Sequence, residues 1–167
     1  MSTFNGLPAH VLFVHFIVVL APLTAVLAIL CAVWPAARQR LVWLVLALSL
    51  AVAVLTPLTT EAGEWLEHRV ERSALLHTHT ELGDTMIYFS AGLLLVAVLL
   101  AVLHLRSSRG KSVSTVLTAL AAVLAVVVGA ATVVQVYRIG DSGAKATWSD
   151  TPLTAPSSEK PGEEPGE

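Results

Sequence analysis

Four long apolar runs, at about residues 11–33, 41–58, 85–105 and 113–136, limit what this chain can fold into. None of them contains Asp, Glu, Lys or Arg. Each is close to the length of about 20 residues needed to cross a bilayer as a helix. In hydrocarbon, backbone N–H and C=O groups must bond within their own segment, so an apolar run of this length is read as a helix. Across all 167 residues, 13% are charged and 55% hydrophobic, against about 25% charged in a soluble domain. The expected fold class is therefore all-α: a polytopic membrane protein with a bundle of four transmembrane helices over residues 1–148 and a tail at 149–167. That tail, TPLTAPSSEKPGEEPGE in its last seventeen residues, cannot bury an apolar core and is expected to be disordered.

Local punctuation refines the spans. Pro8 suits the first turn of a helix, and Trp34-Pro35 ends the first run. Pro22 predicts a kink in that span. Ala36–Arg40 reads as a tight loop, and Arg106–Ser112 as a second short loop. Glu61–Arg72 reads as a polar helix, and Ser73 as the cap of a further helix running into the third span. In the fourth span Ala121, Ala125 and Gly129 recur every four residues, the spacing that lets membrane helices approach closely. The first span is too long for the apolar part of a signal peptide, and residues 1–10 carry no Lys or Arg; it is read as a retained span. Cys31 is the single cysteine, which excludes an intramolecular disulfide and a multi-cysteine metal site.

Charge gives the orientation. The two short loops carry Arg38, Arg40, Arg106, Arg109 and Lys111. The positive-inside rule places them in the cytoplasm, with both termini and the acidic connection outside a plasma membrane. The twelve acids all lie in Glu61–Asp84 and Asp141–Glu167. No acid sits within a span, which weakens a proton-pump reading.

That topology collects polar residues at the outer ends of the spans: His10 and His15, Glu61 and Glu64, His77, His79 and Asp84, and Gln135 to Arg138. His10 and His15 lie about 140° apart on a regular helix, so one helix cannot aim both at one site. His15, deeper and on the face of Val19 and Pro22, is the expected interior residue, and His10 its interfacial companion. Imidazoles from two helices can take both axial positions of a haem iron, and His15 and His79 are the candidates for that role. Histidines with carboxylates also hold transition-metal ions, and His10, His15, Glu61, Glu64 and His79 form the candidate metal set. The competing reading is that these residues only satisfy interfacial hydrogen bonds. There is no HExxH, CxxC or CxxCH motif, no Ser-His-Asp order and no basic groove for nucleic acid.

Four short stretches, AHVLFVHFIVVLAP, TEAGE, HTELGD and VYRIGDSGAKATW, occur in this order between residues 9 and 148. Together they resemble a family of small bacterial membrane proteins, the domain of unknown function 2231 family. The resemblance implies a four-helix membrane domain without an established activity. Its matching polar positions here are His10, His15, Glu61, Glu64, His79 and Gly140. The chain departs from the family pattern at Val11, Ile17 and Asp141, the last standing where relatives often carry a histidine. Similar domains occur beside redox modules, which leans toward a haem b or transition-metal centre with a redox partner. The alternatives are a non-catalytic membrane subunit or scaffold, including a homo-oligomer, and third a small transporter. No catalytic motif argues for an enzyme, and the expected surroundings are the lipid bilayer, without nucleic acid.

Overall fold

The computed structural model describes residues 3–4 and 6–149. A minimal antiparallel pairing of β1 (Thr3–Phe4) with β2 (Leu7–Pro8) leads in. It turns at Gly6, whose φ of +83° favours a residue without Cβ. The rest is helical: α1 (Ala9–Val33), α2 (Pro35–Glu67), α3 (Ala74–Asp84), α4 (Met86–Ser108) and α5 (Thr115–Trp148). The described residues form an all-α polytopic bundle with four helices long and apolar enough to span a membrane. α1 packs against α2 and α5, and α4 packs against the same two. Each long helix thus lies beside neighbours of opposite direction, the up-down-up-down arrangement.

The bundle is packed the reverse way to a soluble one. Its interior is built from small residues, including Ala21, Ala25, Ala28, Ala97, Ala101, Ala121 and Ala125, with Val42, Val45 and Leu100. Its large side chains point outward: Phe16, Val19, Leu95, Val116 and Leu120 are each more than half exposed. Where lipid surrounds the protein there is no hydrophobic drive to hide such groups, and small residues let helix backbones approach and gain dispersion contacts. The predicted Ala121, Ala125 and Gly129 stripe is buried as a unit. A Cβ on Gly129 would come within 2.8 Å of Ile29 and 3.4 Å of the Ala25 carbonyl, so α1 and α5 meet there.

Two local expectations are corrected. Ala36–Arg40 is not a loop: α2 begins at Pro35, and the turn shrinks to Trp34. Proline at the first helical position loses no bond there, and Arg38 N–H already bonds the Trp34 carbonyl at 3.0 Å. Nor does the fourth helix stop near residue 136, where the apolar run ends, because α5 runs on to Trp148. The Ser73 cap is present, its hydroxyl accepting from Leu76 N–H at 3.1 Å. The expected disordered tail lies outside the described residues, beyond Ser149.

Helix length creates the site. At 1.5 Å per residue, α2 and α5, with 33 and 34 residues, are each about 50 Å long, against a hydrocarbon core of about 30 Å. Their C-terminal turns stand clear of the apolar bundle at the same end. α3 packs against the projecting part of α5. This end also carries the carboxylates of the described residues, with Arg69, Arg72, Arg138 and Lys145, and the opposite end carries Arg38, Arg40, Arg106, Arg109 and Lys111 and no acid among the described residues.

Candidate functional site

Hydroxyls inside the bundle spend their bonding on their own helices. Thr24, Thr56 and Thr132 each donate to the carbonyl four residues earlier, at 2.6, 2.8 and 2.8 Å. Among the described residues, side-chain hydrogen bonds between helices are made by His10, His79 and Gln135 alone, with Ser142 and Thr85 as side-chain acceptors. All of them lie at the acidic end.

His10, in the first turn of α1, reaches α2, where its Nδ1–H donates to the Thr59 carbonyl at 2.9 Å. His79, on α3, reaches α5, where its Nδ1–H donates to the Ile139 carbonyl and to Ser142 Oγ, both at 3.1 Å. The Ser142 hydroxyl in turn donates to the Ile139 carbonyl at 2.9 Å. Because a carbonyl can only accept, Nδ1 of each ring carries a proton, and in the neutral ring Nε2 is then the lone-pair nitrogen. No described side chain or backbone group bonds either Nε2. The two rings meet edge to face, 6.3 Å between centres.

Both rings line a cavity of about 820 Å³ between α1, α2, α3 and α5. Its deeper wall is apolar, with Val11, Val14, Ile17, Val18 and Met86. Its outer part carries Glu64, Glu67, Glu71, Glu81 and Asp84, and among the described residues no Lys or Arg lines it.

The structure redistributes the sequence-predicted residues. His10, Glu64 and His79 come to one cavity, whereas His15 and Glu61 do not. His15 was expected inside and His10 at the interface, and the positions are reversed. His15 is exposed, its Nδ1 bonded to the Val11 carbonyl of its own helix. The reason is that His10 precedes the apolar packing of α1 and lies level with the projecting end of α2, so it can cross to Thr59. His15, 140° away, faces outward. Nor do the five candidate metal ligands converge: among the described residues no three His, Cys, Asp or Glu side chains are placed to hold an ion. His77 pairs with Glu81 at 3.3 Å on the exposed face of α3. His68 bonds the Glu64 carbonyl at 2.6 Å. His104, at the basic end, stacks edge-on against Trp43 at 6.1 Å.

Sequence reasoning put Gln135 at the outer end without a role and missed Gly63 and Gly143. Gln135, nearly fully buried, donates to the Leu82 carbonyl at 3.1 Å and to Thr85 Oγ1 at 2.7 Å, clamping the joint between α3 and α4. Gly63 and Gly143 lie directly beneath the His10 and His79 rings. A buried amide in an otherwise apolar span was the one available pointer to Gln135.

Compared with curated proteins and with solved structures, the chain finds no match. The family model of predicted membrane proteins designated DUF2231 matches residues 6–155. That range takes in all four spans and every residue of the cavity, and the chain belongs to this family.

Proposed function

We propose that the protein binds a metal-centred group in this cavity through Nε2 of His10 and His79, as an electron carrier at the outer face of the plasma membrane. The carrying observation is the pair of anchored imidazoles: each holds its Nδ1–H on a backbone carbonyl and leaves Nε2 open. That is the arrangement that orients metal-ligating histidines.

The number of donors argues for haem. Two protein ligands are too few to close a mononuclear ion site. They suit an iron whose porphyrin supplies the equatorial nitrogens. The cavity of about 820 Å³ is of small-molecule size, and its valine and isoleucine wall suits an apolar macrocycle. A haem held by His10 and His79 would supply one-electron transfer rather than substrate binding. A separate redox partner would then be needed.

The acidic lining favours a second reading. The carboxylates around the cavity, with no described Lys or Arg in its lining, attract a divalent transition-metal ion, held by the two Nε2 atoms with water completing the shell. The outward placement of this end rests on the five cations of the opposite end.

The test is an absorption spectrum with metal analysis of the detergent-purified protein, before and after adding haemin. A Soret band, or one equivalent of a transition metal, is expected. His10→Ala and His79→Ala should remove it, and His15→Ala should leave it. Absence of both haem and metal after reconstitution sinks the proposal and leaves a non-catalytic subunit or scaffold.

A further inference from the structure

The surroundings of the two rings are the same construction made twice. The His10 ring, from the first helix of the α1–α2 hairpin, lies on Gly63 of the second. A Cβ there would stand 3.0 Å from its Nδ1 and 3.1 Å from its Cε1. The ring donates to the carbonyl of Thr59, one helical turn before Gly63. The His79 ring, from the first arm of the α3/α4–α5 hairpin, lies on Gly143 of the second. A Cβ there would stand 3.0 Å from its Cε1 and 3.2 Å from its Nδ1. That ring donates to the carbonyl of Ile139, again one turn before the glycine.

The correspondence extends to the sequence and to the helices. Glu61-Ala62-Gly63 and Asp141-Ser142-Gly143 share the order acid, small residue, glycine. In both hairpins the second helix projects past the apolar bundle at the same end. Glycine inside a helix costs about 1 kcal/mol relative to alanine, so its use at these two positions calls for a local reason, and the ring above each supplies one. Gly83 and Gly140 line the same cavity, yet a Cβ on either would meet nothing within 4 Å.

We propose that the bundle is an internal repeat of two hairpins, and that Gly63 and Gly143 are its equivalent positioning residues, each seating one imidazole with Nε2 turned to the shared cavity. The consequence for ligand affinity rests on the reading of His10 and His79 as ligands. The seating itself does not.

The experiment has two readouts on the full chain in detergent. The first is the ¹⁵N spectrum of the histidine rings at pH 8, where both His10 and His79 are expected as Nδ1–H tautomers. Finding either as the Nε2–H tautomer overturns the proposal, whether or not any variant folds. The second is affinity for haemin, and for Cu²⁺ where haemin does not bind. Gly63→Ala and Gly143→Ala push the ring off its seat by a few tenths of an ångström. Each should lower affinity at least about 10-fold, the cost of disturbing a support to a metal ligand, and perturb the ¹⁵N signals of its own histidine. Gly83→Ala and Gly140→Ala are expected to leave the ¹⁵N signals of both histidines unchanged. If the first pair behaves like the second, the proposal is wrong. If His10→Ala and His79→Ala leave binding intact, the ligand reading fails, and the ¹⁵N spectra of the glycine variants alone decide the seating.

Discussion

At the residue scale, the outcome turns on which ring nitrogen carries a proton. Anchoring each Nδ1–H to a carbonyl leaves Nε2 as the free nitrogen on two rings that line one cavity, and such a nitrogen binds a metal only while it is unprotonated. Binding should therefore be full at pH 8 and be lost as pH falls through the His79 pKa, which burial and the neighbouring His10 hold below the ordinary imidazole value. A titration of the Soret band or of bound metal checks this. A site held by carboxylates alone would keep its metal to still lower pH. Ser142→Ala removes one of two acceptors from His79 Nδ1–H and leaves the Ile139 carbonyl. Its expected effect on binding is smaller than that of Gly143→Ala.

At the element scale, close approach and one buried amide hold the helices. Gly129→Val places atoms where Ile29 and the Ala25 carbonyl already stand. It should destabilise the bundle by about 1–3 kcal/mol, the usual cost of overpacking. Ala130→Val, on the exposed neighbouring position, should change stability by less than about 0.5 kcal/mol. Denaturant unfolding in mixed micelles compares the two. Gln135→Leu removes both donors from the α3–α4 joint. Its expected cost is about 1 kcal/mol, felt locally: hydrogen exchange at residues 82–86 should speed up while the unfolding midpoint of the bundle moves little.

At the scale of the whole molecule, charge is divided between the two ends. The acidic cavity occupies one, and Arg38, Arg40, Arg106, Arg109 and Lys111 the other. The orientation proposed from this division has a direct check. In a Cys31→Ser background, Thr147→Cys at the cavity end should react with a membrane-impermeant thiol reagent on intact cells. Ser112→Cys should react only after permeabilisation. The reverse pattern would turn the cavity toward the cytoplasm.

The sequence by itself determined the class, the number of spans and the end of the bundle where polar groups gather. Each of these follows from local quantities: the length of uncharged apolar runs against bilayer thickness, and the placement of Lys, Arg, Asp and Glu between them. It also marked the Ala121–Gly129 stripe, because a four-residue period of small side chains lies on one helix face. Only the tertiary structure decided which histidines meet. The 140° between His10 and His15 says that they diverge, but not which one faces a partner. That depends on where the C-terminal turns of α2 and α5 stand beside α1 and α3. The seats on Gly63 and Gly143 were hidden for the same reason, since each joins residues more than fifty positions apart through a contact that exists only once the helices have packed.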